Sequence, residues 1–300
     1  MLLFLPFFFL LTTSPLTTSP LTYLSFHSLS SPSILSDPPL ILLHGLLGQS
    51  KNFANLGSLL ALSNPTRPVY ALDLRNHGGN LGGAWGSDMS YETMSSDVLN
   101  WMDWKGVSRA TLIGHSMGGK VAMAAARSER GRERLEGLAV IDIAPVEYEP
   151  GDGSMWEVIE RVIEACEGLD LEQVATKVEA NRKLKEGGVE DTNLRGFCCT
   201  NLEKDESGKL RWKVNLPSIS SNLSQIAGFK SSADSPYPGD TYFIAGGNSK
   251  YVRVRDVPKI TEMFPRMMIT TVRGVGHWVH AESPTETLEL LQKYLSRDKG

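Results

Sequence analysis

From about residue 21 onward, apolar residues come in short unbroken runs rather than in alternation with polar ones. Leu40 to Leu43, Val69 to Leu72, Ala110 to Ile113, Leu138 to Ile143, Thr241 to Ala245 and Met268 to Val272 are runs of this kind. An unbroken apolar run this short predicts a strand covered on both faces. Each run meets a turn: His44-Gly45, Asp73, Gly114, Pro145, Gly246-Gly247 and Gly274 follow them in order. Between the runs, Tyr91 to Trp104, Lys120 to Arg127 and Thr285 to Leu295 read as helices. The last carries a start signal, with Ser283 as N-cap, Pro284 at the first helical position and Glu286 closing a capping box. Strands alternating with helices, without internal repeats, predict an α/β architecture with a mostly parallel central sheet and helices on both faces. In such sheets chemistry gathers beyond the carboxyl ends of the strands, so the turns just named become the places to search.

The alternation stops between residues 146 and 236. This stretch is helical and charged and opens on a Pro-Gly-Asp-Gly breaker at 150–153. Met155, Ile159, Val162 and Ile163 share one helical face, and Leu171, Val174 and Val178 repeat the spacing. The pattern predicts a helical cap inserted into a core made of 21–145 and 237–300. The apolar stripe of that cap either packs on the core or lines an acyl pocket. Residues 1–20 stand apart, since no Lys, Arg, Asp or Glu precedes Asp37. Met1 to Leu11 is an apolar run broken by Pro6, too short for the roughly 20 residues of a membrane-spanning helix, so no transmembrane span is expected. An apolar stretch followed by Ser, Thr and Pro resembles the centre of a signal peptide, yet both the basic head of one and the arginines of a mitochondrial presequence are missing. The segment is expected to be a presequence of undecided address or a disordered terminus.

Composition narrows the function classes. A net charge of -4 with 21% charged residues provides no basic field for a phosphate backbone, so no nucleic-acid partner is expected. At 41% hydrophobic, the 300-residue chain can bury a sizeable core. The cysteines, Cys166, Cys198 and Cys199, are odd in number, include an adjacent pair and lack zinc-ligand spacing, which argues against a disulfide framework and mildly for a reduced compartment.

Candidate chemistry is clearest at Gly114-His115-Ser116-Met117-Gly118. An apolar strand enters this string and a small-residue helix leaves it, the setting of a nucleophile elbow that lifts a serine hydroxyl above the sheet. A serine needs a base. His277, in Gly276-His277-Trp278 after the final strand, is the favoured candidate, with His280 as the alternative. The acid is less direct. The turn where a hydrolase of this order usually carries it reads Gly246-Gly247-Asn248, and an amide cannot offset the charge of an imidazolium. Asp142, ending the strand expected beside the nucleophile strand, is therefore the preferred acid, and Asp256 is a further alternative; a purely structural Asp142 holding the turn before Pro145 is the bland reading. Backbone amides of Leu46 and Met117 are placed to form an oxyanion hole. In Asp73-Leu74-Arg75-Asn76-His77-Gly78, the expected role of Asp73 and Arg75 is to brace neighbouring turns.

Taken together, His44-Gly45-Leu46-Leu47-Gly48, Asp73-x-Arg75-Asn76-His77-Gly78, Gly114-His115-Ser116-Met117-Gly118-Gly119-Lys120, Asp142-Ile143-Ala144-Pro145-Val146 and Gly276-His277-Trp278-Val279-His280-Ala281 resemble the α/β-hydrolase domain-containing protein 11 group and its bacterial esterase relatives. The resemblance spans about residues 21–295. It implies an α/β-hydrolase fold and a serine esterase or lipase acting on acyl esters without metal or organic cofactor, with diacylglycerol-type lipids as suggested substrates. It also implies a mitochondrial setting for eukaryotic members, the secretory pathway being the alternative that the apolar head leaves open. The family pattern falls on Ser116 as nucleophile and His277 as base. Bacterial relatives suggest Asp142 as acid, whereas animal members have been assigned an aspartate near the position of Pro217, where this chain has no carboxylate. Alternative functions are a thioesterase or a cofactor-free haloperoxidase-like activity on the same residues, and a non-catalytic ligand-binding protein of the same fold.

Overall fold

The computed structural model describes residues 20–27, 37–81, 85–149, 151, 155–230 and 235–297. Its strands are β1 (Tyr23–Phe26), β2 (Leu40–Leu43), β3 (Val69–Leu72), β4 (Ala110–His115), β5 (Leu135–Ile141), β6 (Leu202–Lys204), β7 (Leu210–Trp212), β8 (Thr241–Gly246) and β9 (Met267–Val272). Seven of these form one sheet in the order β1-β3-β2-β4-β5-β8-β9, parallel throughout except for β1, which runs antiparallel along the edge of β3.

The unbroken apolar runs have a direct cause. Successive side chains of a strand point to opposite faces. Ile41, Leu43, Leu112, Leu138 and Val140 enter one apolar cluster, whereas Leu40, Leu42, Ile113, Ala139 and Ile141 enter another on the other side of the sheet. Both faces are therefore dry, and β2, β4 and most of β5 are built mainly of apolar residues, with Thr111 and His115 of β4 buried among them.

The first helices are α1 (Ala54–Ser63), α2 (Tyr91–Lys105), α3 (Met117–Arg127) and α4 (Glu129–Arg132). Within the inserted segment lie α5 (Trp156–Glu167), α6 (Lys177–Glu186), α7 (Thr192–Thr200), α8 (Leu216–Ser221) and α9 (Leu223–Ala227). The chain ends with α10 (Val257–Met263), α11 (Val279–Glu282) and α12 (Pro284–Leu295). Helices α2 and α3 pack against each other on one face of the sheet, and α1 packs with α12 on the other. Among the described residues no helix is long and apolar enough to cross a membrane, and all three cysteines are free and buried.

Several expectations need correction. Strand β1 has no counterpart among the apolar runs, because Tyr-Leu-Ser-Phe is a half-buried edge strand with a polar residue inside it. The stretch expected to be helical contains the β6-β7 hairpin, turned through Asp205 to Gly208. Leu171, Val174 and Val178 do not form one stripe: a short turn and a bend separate Leu171 and Val174 from α6, on which Val178 is 82% exposed. Met155 is also exposed, at 38%, although Val162 and Ile163 are buried as expected. Ser283 does precede Pro284 at the start of α12, but no capping box forms. Its hydroxyl donates to the Glu286 carboxylate at 3.3 Å instead of receiving a backbone amide. The expected presequence, apart from Pro20, and the breaker, apart from Gly151, lie outside the described residues.

Candidate active site

Strand β4 delivers Ser116 to the carboxyl edge of the sheet through a turn that only small residues permit. A Cβ at Gly114 would fall 2.2 Å from the Gly118 carbonyl oxygen, and one at Gly118 would fall 2.2 Å from the Leu43 carbonyl oxygen. Strand and helix approach so closely here that any side chain would penetrate backbone. Ser116 itself adopts φ 53. Its left-handed backbone is a strained geometry of the kind that functional sites retain.

The structure brings Ser116, His277 and Asp142 together. His277 Nε2 lies 3.0 Å from Ser116 Oγ, and His277 Nδ1 lies 2.7 Å from Asp142 Oδ2. With Nδ1–H donating to the carboxylate, Nε2 carries the lone pair that faces the hydroxyl. Asp142 is fully buried, just past the end of β5, in a left-handed turn at φ 53. Its Oδ1 accepts the Gly246 amide at 2.8 Å, and its Oδ2 also accepts the Ser249 hydroxyl. The end of β8 and the turn beyond it thus contribute donors to the Asp142 carboxylate.

The alternatives lie elsewhere. Asn248 is exposed, with its backbone N–H donating to the Val275 carbonyl. Asp256 pairs with Arg253 at 2.9 Å. His280 is buried between Phe53 and His115, with ring centroids at 4.9 and 4.6 Å. Burial, and then the proximity of His277, push its pKa down to about 4. It is a neutral packing residue next to the favoured base.

Two supports of His277 have no signature in the sequence. The Tyr251 ring lies against the imidazole with centroids 4.2 Å apart. His115 Nε2–H donates to the His277 carbonyl at 2.9 Å, which ties the histidine loop to the strand that carries Ser116. Burial, with the neighbouring histidines adding to it, keeps the His115 pKa well below the usual histidine range, so this ring is a neutral donor.

Across Ser116, the turn after β2 brings Leu46 to the cavity. The N–H groups of Leu47 and Gly48 are both engaged, with His77 Nε2 and with the Gly45 carbonyl. Leu46 itself lines the cavity, where the sequence places its amide as an oxyanion donor. Met117 is the first residue of α3, where the helix supplies no partner for the N–H. Asp73 and Arg75 brace turns as expected. The Asp73 carboxylate accepts the amides of Ser50 and Gly79, while Arg75 pairs with Asp97 and donates to the carbonyls of Trp85 and Asp88.

The cavity above Ser116 measures about 490 Å³. Trp156, Ile159 and Val162 of α5 and Leu194 and Phe197 of α7 form an apolar wall, so part of the stripe expected on the inserted segment does face the site. At the floor, Lys120 is fully buried. Its Nζ donates to the carbonyls of Val146, Ala227 and Gly228 at 2.9, 2.7 and 2.7 Å, which join the start and the end of the inserted segment to the helix that follows Ser116. Among the described residues no cluster of side chains could hold a metal ion.

A family model described as the alpha/beta hydrolase fold matches residues 38–284. The sn-1-specific diacylglycerol lipase ABHD11 of Mus musculus is 33% identical over 276 residues, which cover 91% of this chain and 85% of that protein. Esterase YbfF of Escherichia coli (strain K12) is 31% identical over 265 residues, covering 87% of this chain and 94% of that protein. Among solved structures, a marine microorganism esterase superposes with a TM-score of 0.82 at 31% identity, over 92% of this chain and 100% of that one.

Proposed function

The chain belongs to the α/β-hydrolase family, and from its residues we propose a serine esterase or lipase that cleaves carboxylic esters of acyl lipids through an acyl-enzyme on Ser116. Carboxylic ester hydrolysis is the activity common to the relatives. Diacylglycerol-type lipids are the substrate class, as in the name of the mouse relative. The observation that carries the reading is the relay of two contacts, 3.0 Å from Ser116 Oγ to His277 Nε2 and 2.7 Å from His277 Nδ1 to Asp142.

In this mechanism Ser116 Oγ attacks the ester carbonyl carbon while its proton passes to His277 Nε2. Asp142 holds the imidazole in the required tautomer and offsets the imidazolium charge that develops. The carbonyl oxygen becomes an oxyanion and takes the N–H groups of Leu46 and Met117, which are already fixed when the charge arrives. Collapse expels the alcohol, which receives the proton from Nε2. Water then repeats the sequence on the acyl-enzyme and frees the carboxylic acid. The segment between β5 and β8 acts as a cap whose apolar wall receives an acyl chain.

A panel of p-nitrophenyl esters, diacylglycerols, acyl-CoA thioesters and halogenation substrates tests the reading. Turnover of esters, lost in Ser116→Ala, is the expected result. Thioester turnover or halogenation in preference to esters would replace it with one of the alternative activities, and no turnover of any class would favour a binding protein.

A further inference from the structure

The turn that carries Leu46 is held by an unusual pair of side chains. Leu47 adopts φ 57, a left-handed conformation that a leucine does not keep unaided. Its N–H donates to His77 Nε2 at 3.2 Å, and its carbonyl accepts Asn201 Nδ2 at 2.6 Å. His77 and Asn201 are both fully buried. His77 belongs to the core, whereas Asn201 caps the carboxyl end of α7 in the inserted segment.

These contacts lock successive peptide planes. Gly45 and Leu46 share one plane, so fixing the carbonyl of the first aims the N–H of the second in the opposite direction. The Gly45 carbonyl accepts both His44 Nδ1–H at 2.8 Å and the Gly48 amide at 2.9 Å. The Gly48 amide in turn shares its plane with the Leu47 carbonyl, the group that Asn201 holds. Asn201 therefore acts on the Leu46 N–H through two linked planes. His77 fixes the plane between them. Its own Nδ1–H donates to the Arg75 carbonyl at 2.8 Å, which leaves Nε2 as an acceptor.

The Asn201 side chain is asymmetric in its partners. Its Oδ1 is buried and has no hydrogen-bond partner among the described residues. Leaving a buried carbonyl unpaired is unfavourable, so packing stability alone is a poor reason for an amide at this position. The useful end is the N–H that reaches Leu47.

We infer that Asn201 of the inserted segment and His77 of the core are positioning residues for the oxyanion amide of Leu46, so that the segment over the site completes the transition-state apparatus as well as enclosing substrate. The inference rests on the proposed serine-hydrolase reading.

Asn201→Asp keeps the shape but replaces the donor with a carboxylate, and His77→Gln tests the same turn from the core side. The measurements are kcat and KM on p-nitrophenyl butyrate, and Ki for an alkyl trifluoromethyl ketone, whose adduct with serine creates an oxyanion. Thermal melts verify folding. Removal of an oxyanion donor lowers turnover by about 10²–10³-fold, and a displaced donor falls at or below that range. Expected is a 10- to 100-fold loss of kcat with KM within about twofold, and a rise in Ki matching the loss in kcat/KM. Asn215→Ala, which removes a contact of the inserted segment with Asn76 at 3.0 Å without touching Leu47, should leave the ratio of Ki to KM unchanged. Unchanged kcat in folded Asn201→Asp, or a rise in KM alone, would overturn the inference, and the same outcomes in His77→Gln overturn it if Asn201→Asp does not fold. An unsubstituted protein that neither reacts with a fluorophosphonate nor binds the ketone would instead defeat the serine-hydrolase reading.

Discussion

Asp142 and His277 are joined at 2.7 Å although the aspartate follows β5 and the turn after β8 carries Asn248. Strand order makes this possible. Strand β5 lies between β4 and β8, so its carboxyl end adjoins the serine turn on one side and the turn after β8 on the other, and the His277 loop after β9 reaches across that turn to Asp142. To meet the His277 loop, Asp142 has one strand less to cross than Ser116 does, and Gly246 at the end of β8 and Ser249 beyond it donate to its carboxylate.

Asp142→Asn is expected to reduce kcat by about four orders of magnitude, because an amide stabilises the wrong imidazole tautomer and leaves the imidazolium without its counter-charge. Asn248→Ala and Asp256→Asn should stay within about threefold of the parent, since neither side chain touches the imidazole. Ester turnover of the three variants, measured side by side, decides the matter. A large loss in Asn248→Ala with little change in Asp142→Asn would reverse the assignment.

Gly118→Ala should not give a stable native protein. The added methyl would meet the Leu43 carbonyl oxygen at 2.2 Å, a contact that forces β2 and α3 apart. A melting temperature lowered by many degrees, or recovery only in the insoluble fraction, is expected. A variant that melts with the parent would show that the elbow has room to spare.

Lys120→Met preserves length but removes the donor from three buried carbonyls. The loss is expected to destabilise the fold by roughly 3 kcal/mol, because each orphaned group keeps its desolvation penalty. Urea unfolding measures it through the midpoint. An unchanged midpoint would mean that the two ends of the inserted segment do not depend on this lysine.

Acid should weaken the fold. His77 and His280 are held by burial at pKa values of about 3 and about 4, below the ordinary histidine value. Below about pH 6.5 the unfolded chain binds protons that the native state refuses, so stability falls as pH drops toward those two values. Each ring adds up to about 1.4 kcal/mol per pH unit to the slope. His280→Phe, which can still stack on Phe53, should flatten the curve of urea midpoint against pH between 6 and 4. An equally steep curve would remove His280 from the explanation.

Much of this was legible in the sequence, for identifiable reasons. The six apolar runs became β2, β3, β4, β5, β8 and β9 because a sheet covered on both faces favours apolar residues at nearly every position of its central strands, the buried Thr111 and Thr241 being exceptions. Ser116 was visible because strand, tight turn and small-residue helix occur in immediate succession. Leu138 to Ile143 was displaced toward the carboxyl end, since Asp142 and Ile143 lie beyond the strand and Leu135 begins it. Strand β1 and the hairpin were hidden by short length and partial exposure. Ser249, Tyr251 and Asn201 act through contacts between residues far apart in the chain, and an isolated loop serine, tyrosine or asparagine has no periodicity to reveal it.

The central claim is that the Ser116 hydroxyl is the nucleophile, and stoichiometric labelling with a fluorophosphonate, read by intact mass, tests it most directly. Expected is one adduct per chain, mapped to the peptide containing Ser116, abolished in Ser116→Ala and slowed by several orders of magnitude in His277→Ala. A folded protein that takes no label, or one labelled equally after Ser116→Ala, would contradict it.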